Sequence, residues 1–271
     1  MIDVVSIVIA VVSLIGSLVA AGFTGWISFY IDQVKRRTEA KALIHKYRDP
    51  LMLAAYDLQS RLWGLVQMNL LRYIEDEDKK DLVYVYTAFL VGQYLSWTYI
   101  LRRQAQFLRF STDKTNKQLN QILDTITNEF SLDRHQGEDP FMLWRGQQMA
   151  IGELMTMEEE KGQLYCMGFA AFSQKYHNDL EFHKWFQPIE KGIVLLVDAG
   201  ARGDAVANHR LRRLQHLLID LVLLLDQERV ALGQNKQLKV DAAHECRCYS
   251  CPGAVVVEAH VVSQASKLPE P

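Results

Sequence analysis

The N-terminal part of this chain contains a long uncharged segment. From Val4 to Ile31 there is no Asp, Glu, Lys or Arg. A membrane-spanning helix needs about 20 mostly apolar residues, each adding about 1.5 Å, so this segment is long enough. A secretory signal peptide would have a basic stretch ahead of a shorter apolar core. Only Asp3 is charged before this core, so we expect an uncleaved transmembrane helix over residues 1–31.

The charges on the two sides of this segment predict its orientation. No basic residue precedes it, whereas basic residues follow it at Lys35, Arg36, Arg37, Lys41, Lys46 and Arg48. Cytoplasmic flanks of membrane helices are enriched in Lys and Arg. The pattern predicts a single-pass protein with its N-terminus outside and its C-terminus in the cytoplasm. The basic neck, residues 32–47, should also attract anionic lipid heads, by about 1 kcal/mol per residue near the surface.

Small residues recur at every fourth position inside the uncharged segment, at Ser13, Ser17, Ala21 and Gly25. Such a stripe allows two helices to approach closely in lipid, where packing drives their association. A homodimer through this stripe is therefore one alternative. The other is a monomeric span, because small residues are common in membrane helices.

The remainder of the chain predicts an all-α fold. Apolar residues recur at intervals of three and four over residues 48–233, which we interpret as one helical bundle domain. Asp49-Pro50 and Asp139-Pro140 each have the pattern of a helix start, and Pro188 should interrupt a helix. Residues 163–176 are also predicted to be helical. The tail, 234–271, loses the periodicity and is expected to be disordered.

A second uncharged stretch extends from Leu82 to Leu101. It is less apolar than the first, and Arg102 and Arg103 follow it. If it crossed the membrane, those arginines would lie opposite the first basic cluster, against the usual bias. We therefore expect a core helix of the bundle, with a second span as the alternative because the length alone would suffice.

Composition and motifs exclude some function classes and leave others open. The net charge of -2 provides no electrostatic argument for binding nucleic acid. The dinucleotide, P-loop, metalloprotease and nucleophile-elbow motifs are absent, so no cofactor is predicted. On the cytoplasmic side the four cysteines should stay reduced.

The tail nevertheless contains a group of metal-ligating residue types. His244, Cys246, Cys248 and Cys251 fall within one short stretch. Thiolate and imidazole are the ligands that zinc prefers, but familiar structural zinc sites use two separated pairs around a folded loop. The main expectation is a tail without a bound group. Metal binding by these four residues and reversible acylation of the cysteines are the alternatives.

Two further patterns suggest ligand binding or acid–base chemistry. Gln93, Trp97 and Arg103 belong to a polar-aromatic surface of the third predicted helix, which could line a ligand pocket or pack between helices. His216 and Asp220 are four residues apart on one helix, with Arg213 one turn earlier. A carboxylate beside a histidine can act in general acid–base catalysis, but we expect an intrahelical ion pair or a solvated helix edge.

Three stretches of the chain resemble a known group of proteins. They are YRDPLMLAAYDLQSRLWGL (residues 47–65), FLVGQYLSWTYILRRQAQFL (89–108) and RGQQMAIGELM (145–155). Together they are similar to a group of N-terminally membrane-anchored helical proteins for which no activity is established. The resemblance implies the anchored helical architecture and assigns no functional residue.

The sequence thus favours a single-pass membrane protein that presents a cytosolic helical interaction or scaffold domain. The alternative is a membrane-anchored enzyme or small-ligand binder that uses the polar-aromatic face. A scaffold should have a filled core and an exposed apolar surface. An enzyme or binder should have a concave pocket on which titratable side chains converge.

Overall fold

A computed structural model describes residues 4–104, 114–133, 139–160, 162–204, 207–226, 238–241, 246, 248–249 and 251. Its helices are α1 (Val4–Gln67), α2 (Glu77–Gln104), α3 (Lys114–Ser131), α4 (Arg145–Leu154), α5 (Phe169–Asn178), α6 (Leu180–Lys184), α7 (Gln187–Arg202) and α8 (His209–Leu225). A 3₁₀ helix, Leu70–Glu75, follows α1, and two strands, β1 (Thr156–Glu158) and β2 (Leu164–Cys166), lie between α4 and α5. The described chain is therefore mostly helical, as the sequence predicts.

The chain divides into two compact units, Met1–Lys46 and Tyr47–Pro271. In the first unit, Val12–Lys35 is long and apolar enough to cross a membrane, with a mean hydropathy of 1.6 and no part buried. It is the one such helix among the described residues. The predicted break at Asp49-Pro50 is wrong, because α1 continues through Pro50. Burial of Tyr47, Leu51 and Met52 offsets the missing backbone hydrogen bond of the proline.

The core of the second unit is built around α2. Fourteen of its residues are buried, including Ala88, Val91 and Ile100. The stretch from Leu82 to Leu101 is therefore a core helix. Helices α4, α5 and α7 pack against α2. The approach of α4 is close at Gly152, where an added Cβ would lie 2.8 Å from the carbonyl oxygen of Leu95.

A short hairpin departs from the predicted all-α fold. β1 and β2 pair antiparallel, with Met157 opposite Tyr165. Gly162 has a φ of 75° and donates its N–H to the carbonyl of Glu159, which closes the turn. The helix predicted over residues 163–176 is thus wrong at its start. Helical periodicity could not distinguish this three-residue strand from the α5 helix that follows it.

Of the two other boundaries predicted from proline, one is correct and one is wrong. Pro188 lies in the first turn of α7, directly after α6 ends, as expected. Asp139-Pro140 does not open a helix, because residues 139–144 form a turn and α4 begins at Arg145. The carboxylate of Asp139 is instead 2.8 Å from Arg210 Nη2, so it serves a buried ion pair rather than a helix cap.

Two buried arginines join α8 to the end of α3. Arg210, 1% exposed, donates to the carbonyls of Glu129 and Phe130 at 3.1 and 2.6 Å, and also to the carbonyl of Leu132. Arg213 Nε lies 2.6 Å from Glu129 Oε1, with both side chains buried. The last carbonyls of a helix have no intrahelical donor. Arg210 supplies one in the interior, where water cannot.

Candidate functional sites

One candidate site is a cluster of three thiols around a buried imidazole. His216 lies on α8 and is fully buried. Its Nδ1 is 3.4 Å from the sulfurs of Cys246 and Cys248 and 3.8 Å from that of Cys251. All four ligand atoms lie within 4.8 Å of one another. A set of three thiolates and one imidazole is a known ligand combination of structural zinc sites.

The other ring nitrogen of His216 fixes its protonation. Nε2 lies 2.7 Å from the carbonyl oxygen of Val240. A carbonyl oxygen only accepts hydrogen bonds, so Nε2 must carry the proton and donate it. In the neutral imidazole, Nδ1 then has its lone pair directed toward the three sulfurs. Metal-bound histidines are oriented by this kind of hydrogen bond.

The chain segments beside the cysteines are held against α8 by other polar side chains. Gln215 donates from Nε2 to the carbonyl of Leu238 at 3.0 Å and accepts from the N–H of Val240 at 3.2 Å. Asp220 lies 2.6 Å from Lys239 Nζ and accepts from the N–H of Tyr249 at 2.6 Å. The described residues of the tail thus make specific contacts with α8.

The pKa values of two of the three thiols are shifted in opposite directions. The pKa of the Cys246 thiol is lowered, chiefly by a hydrogen bond from Cys248, although burial opposes this. The pKa of Cys248 is raised to about 12 by the same bond and by burial, while His216 and the charge of Lys239 oppose the rise. Of these two thiols Cys246 is thus the more acidic, and a thiolate is the form that binds metals.

The set of four metal-ligating residues named from the sequence shares Cys246, Cys248 and Cys251 with this cluster. His244 lies outside the described residues, and His216 occupies the corresponding position at the cluster. The expectation that His216 and Asp220 form an intrahelical ion pair or a solvated helix edge is wrong. Both are buried and each has a separate partner in the segment 238–249. The one indication in the sequence is that two polar residues, His216 and Asp220, lie within the leucine-rich segment that forms α8.

A second candidate site is an open cleft of about 680 Å³ in the Tyr47–Pro271 unit. Four helices line it: α2 with Lys80, Asp81 and Tyr84, α5 with Tyr176 and His177, α6 with His183, and α7 with Glu190, Lys191 and Val194. Titratable side chains of both charge signs therefore converge on one concavity. No pattern in the sequence predicts this cleft, because its residues come from four separated segments.

Glu190 is the centre of the polar contacts in this cleft. Its Oε1 lies 2.7 Å from His183 Nε2 and also accepts a hydrogen bond from the hydroxyl of Tyr176. The rings of Tyr176 and His183 are stacked, with their centroids 4.3 Å apart. Burial, followed by the hydrogen bond and charge of Glu190, raises the pKa of Tyr176, so its hydroxyl remains a donor. A carboxylate that orients an imidazole is a common acid–base arrangement.

The structure distributes the predicted polar-aromatic face among different surroundings. Gln93 and Trp97 are half-buried, and the ring of Trp97 is 6.4 Å from that of Tyr47. Arg103 is exposed and lies 3.4 Å from the hydroxyl of Tyr99. None of the described hydrogen bonds or ring contacts joins Gln93, Trp97 and Arg103. The cleft around Glu190 does not include them.

Comparison with known proteins gave no relative. No protein family, curated protein or solved structure was found to match this chain. The functional argument therefore depends on the geometry of the two sites and on the apolar helix.

Proposed function

We propose that this chain is a single-pass membrane protein that presents a helical interaction or scaffold domain at the cytoplasmic face of a membrane. The observation that carries the proposal is the wholly unburied apolar helix Val12–Lys35. Large side chains such as Val19, Phe23 and Trp26 are each more than 60% exposed there. Contiguous apolar surface of this extent is costly in water, and a lipid bilayer would remove the cost.

The orientation rests on the basic residues that follow this helix. Lys35, Arg36, Arg37, Lys41 and Lys46 all lie within the first unit, beside the apolar segment. We place them at the cytoplasmic surface, because basic residues are enriched on that side. Arg48 does not support this argument, since it is half-buried and donates to the carbonyl of Leu225 at the end of α8.

The experiment is a protease-protection assay on sealed vesicles with tags at both ends. We expect alkaline carbonate to leave the protein in the membrane, and external protease on cytoplasmic-side-out vesicles to remove only the C-terminal tag. A matched control replaces Lys35, Arg36, Arg37 and Lys41 by Glu, which should increase the inverted fraction. Release by carbonate would refute the anchor, and protection of the C-terminal tag in the wild type would refute the orientation.

A second function, small-ligand binding or acid–base catalysis, is supported by the cleft around Glu190. A scaffold needs a filled core, which the second unit has, but it does not need a carboxylate, two histidines and a buried tyrosine facing one cavity. Concave sites with a few convergent polar groups commonly bind small molecules. The assignment places the ligand at His183 and Glu190 rather than at Gln93, Trp97 and Arg103.

This second function is tested by histidine-labelled NMR of the Tyr47–Pro271 unit during a fragment screen. We expect at least one fragment to shift the imidazole signals of His183. Glu190→Gln should lower the affinity for that fragment at least tenfold. The control is Glu181→Gln, because Glu181 is exposed on α6 and pairs with Lys184 at the surface. Fragments that bind Glu190→Gln and wild type equally would remove the cleft from consideration.

A further inference from the structure

We infer that His216, Cys246, Cys248 and Cys251 form a zinc site that fastens the C-terminal segment to α8. This goes beyond the proposed function and does not depend on the membrane anchor. His216 comes from the middle of a buried helix, whereas the three cysteines come from one short stretch about 30 residues later. A metal bound by all four would therefore join two parts of the chain that are distant in sequence.

The distances between the ligand atoms agree with tetrahedral coordination. With Zn–S at about 2.3 Å and Zn–N at about 2.05 Å, tetrahedral angles place sulfur and nitrogen about 3.6 Å apart. The three observed Nδ1–Sγ distances are 3.4, 3.4 and 3.8 Å. The arrangement thus has the dimensions of a zinc site, and all four cysteines of the chain are free of disulfide bonds.

Hydrogen bonding alone does not account for this convergence. Nδ1 of His216 has a single lone pair, because Nε2 carries the proton. One lone pair can accept one good hydrogen bond, yet three sulfurs surround it at nearly equal distances. A metal ion at the centre would satisfy the imidazole and all three thiolates together. Three thiolates and a zinc ion leave a charge of -1, and the cationic Lys239 lies nearby, where its ammonium donates to the carbonyl of Tyr249, the residue after Cys248.

The coordination assigns a structural rather than a catalytic role. Four protein ligands complete the tetrahedron, whereas catalytic zinc sites keep one position for water. The polar groups behind the ligands also fit this role. The carbonyl of Val240 orients His216, and Asp220 links Lys239 to the N–H of Tyr249. Metal and hydrogen bonds together would hold residues 238–251 against α8.

The first experiment measures metal in the full-length protein, purified in detergent with reductant and without chelator. We expect one zinc ion per chain, and uptake of Co²⁺ with the thiolate charge-transfer and d–d absorption of a tetrahedral site. His216→Ala, Cys246→Ser, Cys248→Ser and Cys251→Ser should each lower the metal content at least tenfold. The matched controls His244→Ala and Cys166→Ser should retain it.

Circular dichroism of each variant separates loss of metal from loss of folding. If His216→Ala does not fold, the three cysteine variants and the wild type still decide the question. A wild-type protein that contains no zinc and takes up neither Zn²⁺ nor Co²⁺ under reducing conditions would overturn the inference. So would a His244→Ala variant that loses the metal while His216→Ala keeps it.

The second experiment tests whether the metal fastens the segment. Trypsin can cleave after Lys239 and after Arg247, which lies between two of the ligands. We expect a zinc chelator to accelerate both cleavages at least tenfold in the wild type, while cleavage after the exposed Arg202 is unchanged. Equal rates with and without chelator, in a protein shown to contain zinc, would overturn the fastening role.

Discussion

Replacement of Arg210 by alanine should be among the most destabilising single changes in the Tyr47–Pro271 unit. Burial lowers the pKa of this guanidinium, and the charge of Asp139 is the main influence that opposes the shift. The ion pair with Asp139 is almost fully enclosed, with side-chain exposures of 0% and 2%. Removal of Arg210 would take away the cation that balances the buried charge of Asp139.

The expected loss of stability follows from the groups whose contacts with Arg210 are removed. Breaking a buried ion pair by removing one member costs about 3–5 kcal/mol. The carbonyls of Glu129 and Leu132 also lose a donor, whereas Phe130 keeps the N–H of Leu143 at 2.9 Å. Loss of the donor to the buried carbonyl of Glu129 adds about 1–3 kcal/mol, although such costs are not simply additive, and Leu132 is exposed enough for water to replace its donor. We expect the free energy of unfolding to fall by at least about 4 kcal/mol.

Urea denaturation of the Tyr47–Pro271 unit, followed by circular dichroism, measures this loss. For a slope of about 2 kcal/mol per molar urea, the midpoint should fall by about 2 M. Arg202→Ala is the control, because Arg202 is exposed on α7, and it should change stability by less than about 0.5 kcal/mol. A loss below about 1 kcal/mol for Arg210→Ala would refute the reasoning that this pair joins α3 to α8.

Three further predictions concern packing and the polar face of α8. Gly152→Ala should lower the midpoint of thermal unfolding, since the added Cβ would lie 2.8 Å from the carbonyl oxygen of Leu95. The control is Gly146→Ala in the same helix, where the added Cβ would have no atom within 4 Å, and this change should be neutral or stabilising. Leu218→Asp should cost several kcal/mol in urea denaturation, because it puts an unpaired carboxylate at a fully buried position. Asp220→Ala should lower the free energy of unfolding by about 3 kcal/mol, since Lys239 would lose its buried partner. An unchanged free energy of unfolding would mean that Asp220 lies at a solvated helix edge.

The sequence determined those features that depend on neighbouring residues. An uncharged segment can be recognised as long enough to cross a membrane without reference to the rest of the chain, and the described residues contain one such helix. Periodic apolar residues likewise predicted the mostly helical fold and the buried face of α8, since a helix places residues three and four apart on one side. Pro188 marked the start of α7 because proline constrains its own backbone.

Only the tertiary structure decided which distant groups meet. His244 is two residues from Cys246, yet among the described residues the histidine that lies beside the sulfurs is His216, on α8. Asp139 resembled a helix cap and is instead the partner of Arg210. In each case the polar group is buried, and a buried polar group must find its partner wherever the fold supplies one. The spacing of residues in the sequence does not predict these partners, because contacts between distant segments determine them.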